Sequence, residues 1–293
     1  MKPLVTIVTP VYNAMPYLED YLSCLIRQTY RPLQVILVDD GSSDGSAECL
    51  QRRKAELEDA GLSVEILLCP HRSQAAAFNA ALPLMEGSFF TWCDADDLLT
   101  PDSIEKKVTW LQAHPDIGMV RSNGLVLDAD RNLPIAESAR AEDRRQQDIF
   151  NALFTDRTYC YAGCYMVRTE LFFSCYPQKQ IPESPEGQNL QLLLPPASRS
   201  HCGYLDEILH TYCRRSSGHS SQTRSYRQSL QRTVNFTALR LAVLDHCLVD
   251  REYYTALARE LEETRRGQLI RSAVLQARKE LENENRNSDI SRS

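Results

Sequence analysis

An α/β fold with a mostly parallel sheet flanked by helices is predicted by two features of the first 120 residues. Short β-branched apolar runs alternate with stretches of helical periodicity, and polar clusters follow the runs at their carboxyl ends. A third feature, the change to helical character after about Thr223, adds a C-terminal helical extension.

Leu4 to Thr9 reads as a short buried strand. Tyr17, Leu18, Tyr21, Leu22, Leu25 and Ile26 then recur at helical spacing. Val35 to Val38 forms a second strand that ends at Asp39 and Asp40, and Gly41 to Gly45 is a turn. Asp44 or Ser46 is placed to cap the helix that follows. Val64 to Leu68 is a third strand, and Gln74 to Met85 an Ala-rich helix that tolerates Pro83 only near its end. Ser88 to Cys93 is a fourth strand that runs straight into Asp94-Ala95-Asp96-Asp97. Thr100 as cap and Pro101 at the first helical position open a helix through about Ala113.

Beyond this point the pattern changes. Gly118 to Asp130 is β-like, Glu137 to Asp148 is a charged surface loop or helix, Tyr159 to Val167 is half-buried, and Gly187 to Leu194 is helical. The polar stretch 282–293 is expected to fray. The expected organisation is a two-part domain over 1–221, with halves 1–120 and 121–221, and a helical extension over 222–293.

Composition excludes several classes. With 293 residues, 33 Lys and Arg against 39 Asp and Glu, the formal charge is −6. That balance argues against nucleic acid as a partner, which calls for a basic patch. Apolar residues make up 43%, enough for a sizeable core and too many for disorder. No run approaches the roughly 18 apolar residues of a membrane helix. The Leu4 to Val8 run is broken by Pro10, Tyr12 and Asn13, too early for a secretory leader. Ten cysteines lack any Cys-x-x-Cys pair, and His201-Cys202 has no further ligand at zinc spacing. Reduced, mostly buried thiols in a cytoplasmic protein are the expectation.

In parallel α/β sheets ligands bind beyond the carboxyl ends of the strands. Three polar clusters fall there: Thr9 to Asn13, Asp39 to Ser42, and Asp94 to Asp97. Three carboxylates within four residues repel one another unless a counter-ion joins them, and hard oxygen ligands suit Mg²⁺ or Mn²⁺. Acids decorating a helix N-terminus are the plainer explanation of such a cluster. The strand-end position, in line with a second acidic pair, favours the metal. A carboxylate of the Asp39-Asp40 pair is suited to accept an N–H from a nucleobase.

Thr6 to Asn13, Gln28-Thr29-Tyr30, Val38 to Ser46 and Asp94 to Asp97, taken together and in this order, resemble family-2 glycosyltransferases. The resemblance implies a GT-A (Rossmann-like) fold, an inverting mechanism and a nucleotide-sugar donor, with uracil the usual base. It implies that Thr9, Pro10 and Tyr12 surround the nucleoside and that Asp40, beside Asp39, contacts the base. Asp94 would stand near ribose or metal, Asp96 would be the principal metal ligand, and Asp97 would assist the metal or face the acceptor. His219, in the segment Arg214 to Ser221, resembles a late stretch that touches metal or diphosphate in some members. The implied acceptor is a hydroxyl of a surface glycan or a lipid-linked glycan.

The departures are informative. Where members commonly read Ala-Arg-Asn, this chain reads Ala77-Phe78-Asn79, so Asn79 is kept and a phosphate or base contact is either lost or supplied by Arg72. Where members often place Glu-Asp as catalytic base, this chain has Gln188-Asn189, and amides take no proton from a hydroxyl at neutral pH. Glu186, Glu183 or Asp97 is left for the role, with Glu186 preferred. A nucleotidyltransferase is disfavoured because Thr6 to Asn13 lacks a Gly-rich phosphate loop. A non-catalytic nucleotide-sugar-binding or scaffold protein is the alternative that Gln188-Asn189 keeps open. The helices after Thr223 are expected to pack on their own domain. The other roles open to them are covering the acceptor site, joining a second copy, or docking at the inner membrane face, though acids at 260–263 disfavour anionic lipid.

Overall fold

A computed structural model describes residues 1–216, 221 and 223–290, with side chains as far as Leu275. The amino-terminal part alternates β1 (Val5–Val11), α1 (Met15–Ile26), β2 (Leu33–Asp40), α2 (Ser46–Asp59), β3 (Leu62–Cys69), α3 (Gln74–Ala81) and β4 (Phe89–Trp92). Then come β5 (Leu98–Leu99), α4 (Ser103–Ala113), β6 (Met119–Asp128), β7 (Leu133–Glu137), α5 (Phe150–Phe154), β8 (Tyr165–Arg168) and α6 (Thr169–Cys175). The chain finishes with α7 (Asn189–Ala197), β9 (Cys202–Arg214), α8 (Tyr226–Leu244) and α9 (Arg251–Ile290).

One sheet runs β3-β2-β1-β4-β8-β6-β9-β5, with β7 paired to β6. Its first four strands are parallel, β8 is antiparallel to both neighbours, and β6 and β9 are parallel. Alternation along the strands supplies both faces. Val35 and Leu37 pack with α1, α2 and α4, while Ile36 and Val38 pack with α3 and helices from the second half. β1 and β2 are buried from end to end, as expected of central parallel strands covered on both sides. Trp92, fully buried at the end of β4, carries this core to the edge of the Asp94–Asp97 turn. Burial of a side chain that large contributes about 3 kcal/mol.

One local expectation holds and others are corrected. α2 starts after Gly45 at φ +93°, which has no side chain to cap it, but Asp44 Oδ1 accepts the amide of Ser46, the first residue of the helix, at 3.1 Å, as expected. Asp44 and Ser46 also accept the amides of Met15 (2.9 Å) and Ala14 (3.0 Å), serving the start of α1 as well. α3 stops at Ala81, because Pro83 falls in a separate 3₁₀ turn. α4 begins at Ser103 rather than Pro101, since Thr100 Oγ1 binds Asp102 Oδ1 at 2.7 Å and closes a turn first. The 137–148 segment is tied inward by a buried ion pair, Arg121 Nη1 to Asp143 Oδ1 at 3.3 Å. β9, α5 and α6 answer to no run singled out in the sequence.

α8 and α9 pack on each other, and α8 on α7. Leu239, Val243 and Leu244 of α8 and Ala258 of α9 join the core. α9 is helical to Ile290, into the stretch expected to fray. No helix among the described residues is long and apolar enough to cross a membrane. All ten cysteines are free, and none is exposed.

Candidate active site

Parallel pairing of β1 with β2 and β4 brings their carboxyl ends to one rim. The loops after β1 and β2 are stitched together, Asn13 N donating to Ser42 Oγ at 2.9 Å and Ser43 N to Asn13 Oδ1 at 2.9 Å. The Asp94–Asp97 turn follows β4 at the same end of the sheet and is tied to the start of α3 by Gln74, whose Nε2 lies 2.9 Å from Asp94 Oδ1. The three clusters predicted to meet do so.

Asp39 and Asp40 have different tasks. Asp39 Oδ2 accepts the amides of Gly41 (3.1 Å) and Ser42 (3.0 Å), shaping the turn, while its buried Oδ1 has no partner among the described residues. Asp40 Oδ1 accepts Arg72 N, and His71 Nδ1 stands against Oδ2, both at 2.9 Å. His71 in turn stacks on the exposed ring of Tyr12, with centroids 4.0 Å apart. Tyr12 and His71 therefore offer a flat aromatic edge beside a buried carboxylate, suited to a planar heterocycle. No motif in the sequence points to His71, although its place two residues beyond β3 marks it as a rim residue.

A cavity of about 420 Å³ opens over Asp40, lined by Arg72, Ala76, Asn79, Lys179 and Glu183 among others. Arg72 crosses to Glu183, Nη2 to Oε2 at 2.9 Å. Asn79 reads the backbone of Ile181 with both ends of its amide, at 3.1 and 2.8 Å. It anchors the 178–183 loop and at the same time lines the cavity over Asp40. Thr9 is fully buried and bonded to Tyr21 through its hydroxyl, and Pro10 is covered within β1. Neither side chain reaches the rim, whereas Tyr12 does. Phe78, at the family's Arg position, lies in the core.

The acids of the Asp94–Asp97 turn are also divided. Asp97 is buried, with Oδ1 accepting Cys213 N at 2.8 Å and Oδ2 3.1 Å from His210 Nε2. Cys164 Sγ lies 3.4 Å from the other ring nitrogen of His210. Asp97 thus fastens the turn to β9, and the expectation that it faces metal or acceptor is corrected. Asp94 Oδ1 accepts amide N–H groups from Gln74 and Gln188. Burial, followed by the charges of Asp97 and Asp96, pushes the Asp94 carboxyl well above its ordinary value. Asp96 is the most open of the three, with 40% of its side chain exposed, and it pairs with Arg215 at 3.0 Å. Burial raises its carboxyl, and Arg215 opposes the rise.

No three His, Cys, Asp or Glu among the described residues converge closely enough to hold an ion unaided. The donor set nevertheless fits a shared site. Mg²⁺-like ions are commonly held by one or two carboxylates with substrate phosphates completing the shell. Asp96 supplies an accessible hard oxygen, and Asp94 stands two residues away. His219 lies outside the described residues.

The base position is occupied as the sequence reads, by amides. Gln188 Nε2 lies 3.3 Å from Asp94 Oδ1, and Asn189 Oδ1 accepts Trp92 Nε1 at 2.7 Å. Glu186 turns to α8, pairing with Arg232 Nε at 2.9 Å, and is only 12% exposed. Gly187, at φ +60°, makes the turn between them and packs against Phe236 and Leu239. Neither Arg215 nor Arg232 stands out in the sequence, where each is one Arg among many.

The chain resembles solved structures over most of its length. S. aureus TarS residues 1–349, in complex with UDP-GlcNAc, superposes with a TM-score of 0.63 at 17% identity, covering 89% of this chain and 71% of that one. The mannosyltransferase PcManGT of Pyrobaculum calidifontis, in complex with GDP-Man and Mn²⁺, gives 0.58 at 19% identity, covering 94% and 76%. These likenesses establish a GT-A fold. Among sequence relatives, an uncharacterized glycosyltransferase of Haemophilus influenzae is 36% identical over 133 residues, 44% of this chain and 50% of that protein. The putative teichuronic acid biosynthesis glycosyltransferase TuaG of Bacillus subtilis is 29% identical over 159 residues, 52% and 61%. The chain thus spans half to three fifths of the length of these relatives. The glycosyl transferase family 2 model matches residues 6–173, the stretch that builds the rim from β1 to β8, and the chain belongs to that family.

Proposed function

We propose that this chain transfers a sugar from a UDP-sugar to a hydroxyl of a surface glycan or related acceptor, with inversion at the anomeric carbon. The observation that carries this reading is the placement of Asp40, on the 420 Å³ cavity at the end of β2, and of Asp94 and Asp96, just beyond β4, at the carboxyl ends of the two strands that flank β1. TarS, solved with UDP-GlcNAc, and TuaG, named for teichuronic acid biosynthesis, support the donor and the acceptor class.

In this reading Tyr12 and His71 face the base, and Asp40 accepts its N–H as His71 or the Arg72 amide gives way. Arg72, released from Glu183, meets phosphate. Asp96, with Asp94 beside it, would hold Mn²⁺ or Mg²⁺, which would supply positive charge against the departing nucleoside diphosphate. Glu186, released from Arg232, takes the proton of the acceptor hydroxyl. The acceptor oxygen bonds to the anomeric carbon as the sugar–phosphate bond breaks, and its electron pair leaves with the diphosphate. One backside displacement gives inversion.

Incubating the protein with UDP-, GDP- and dTDP-sugars and Mn²⁺, with mass spectrometry of the products, tests the donor. Release of UDP from one UDP-sugar is expected; turnover of GDP- or dTDP-sugars alone refutes it. A second reading, nucleotide-sugar binding without transfer, is favoured by the amides at 188 and 189 and by the ion pairs that engage Glu183 and Glu186. UDP binding with no turnover of any donor would favour it.

A further inference from the structure

Arg215 follows directly on β9, and its contacts single it out among the cations near the rim. Its Nη1 donates to three oxygens: Asp96 Oδ2 at 3.0 Å, Asp96 O at 3.1 Å and Cys213 O at 3.1 Å. Its guanidinium lies over the Tyr17 ring, 3.7 Å from the centroid, a cation–π contact. The side chain is 13% exposed, against 40% for Asp96. A cation is therefore built into the chain on the most open acid of the Asp94–Asp97 turn.

The surroundings allow this cation to leave without dismantling the turn. Cys213 N remains bonded to Asp97 Oδ1 at 2.8 Å, and Ser216 N to Asp130 Oδ2 at 2.8 Å, so the main chain is fixed on both sides of Arg215. Only side-chain rotation is needed. Asp96 is open to water on one side, where solvent weakens the attraction. One nitrogen shared among three acceptors also falls short of the two-pronged Arg–carboxylate geometry that makes such pairs strong.

We infer that Arg215 is a displaceable counter-ion of Asp96, holding in the ligand-free chain the carboxylate oxygen that a divalent cation takes when it binds. The ion competes with a guanidinium for its own ligand, so Asp96 is not left without a counter-charge before nucleotide arrives. Tyr17 sets how firmly Arg215 is held, and so tunes apparent metal affinity without touching metal. The inference rests on Asp96 being the metal ligand.

Electron paramagnetic resonance of free Mn²⁺, titrated into the full chain with and without UDP, measures binding directly and needs no donor sugar. Arg215→Gln is expected to bind Mn²⁺ roughly tenfold more tightly than the unsubstituted chain, the order of one hydrogen bond to a charged group. Tyr17→Leu, which leaves Asp96 and Arg215 in place, is expected to shift affinity the same way by a smaller factor. Should circular dichroism show Arg215→Gln unfolded, the Tyr17→Leu titration decides the matter. Unchanged or weaker Mn²⁺ binding in the folded variants, with Asp96→Asn losing the ion, overturns the inference alone. Mn²⁺ binding that survives Asp96→Asn, or binding by none of the proteins, overturns the reading of Asp96 beneath it.

Discussion

Gln188 Nε2 lies 3.3 Å from Asp94 Oδ1, joining the start of α7 to the acidic turn after β4. Gln188 is buried, and its Oε1 has no partner among the described residues. An amide at this position supports the Asp94 carboxylate where a second carboxylate would repel it. Gln188→Glu is therefore expected to destabilise the fold at neutral pH by about 2 kcal/mol, the scale of a buried hydrogen bond to charge replaced by repulsion. Urea unfolding at pH 7 and pH 5 checks this. The loss should shrink at the lower pH as the new acid takes up a proton, and equal losses at both would refute it.

Glu186 is expected to act as the base. Glu186→Gln should lower kcat by about 100-fold or more, the usual range for removal of a general base, while leaving UDP affinity within about twofold. Steady-state turnover beside calorimetric UDP binding reads both. An unchanged kcat would move the role elsewhere.

His210 holds Asp97 against β9, and both are buried. His210→Leu leaves a buried acid lacking one partner and is expected to cost about 3 kcal/mol in urea unfolding. Pairing His210→Leu with Asp97→Asn should recover part of that loss, because the stranded charge is gone. A simple sum of the two single effects would contradict the coupling.

Lys107 is fully buried, bonded to Ser103 Oγ at 2.8 Å and Gly163 O at 2.6 Å, and burial lowers its ammonium to about 8. Its unfolded value is 10.5, so between about pH 8 and 10.5 the unfolded chain binds more protons and the Lys107 contribution to stability rises with pH. Relative to Lys107→Met, the unsubstituted chain should gain about 3 kcal/mol across that window. The difference between the two pH–stability curves isolates this group from the buried tyrosines and cysteines. A flat difference would contradict it.

The first half of the fold was legible because β1, β2 and β4 are largely apolar, buried runs that each lead into a polar cluster. Val35 to Val38 followed by Asp39-Asp40 announces both a buried strand and its rim. β9 was not legible: Asp206 and Glu207 interrupt its alternation, and the register shifts where it passes β6 at Ser122 to Leu125. The acids of the site could be named but not assigned. Asp94, Asp96 and Asp97 are chemically alike, and their roles diverge largely through Gln188, Arg215 and His210, which arrive from 94 to 119 residues further along the chain. Asn79 shows the same limit, since a side chain matching a family motif proves to be bonded to the backbone of Ile181.

Donor turnover measured side by side for the unsubstituted chain and Asp96→Ala tests the central claim most directly. With Mn²⁺ and a screen of nucleotide sugars, the unsubstituted chain should release nucleoside diphosphate from a UDP-sugar, and Asp96→Ala should be at least about 100-fold slower, as expected when transition-state charge stabilisation is lost. Equal turnover by the two proteins, or none by the unsubstituted chain with any donor, would contradict it.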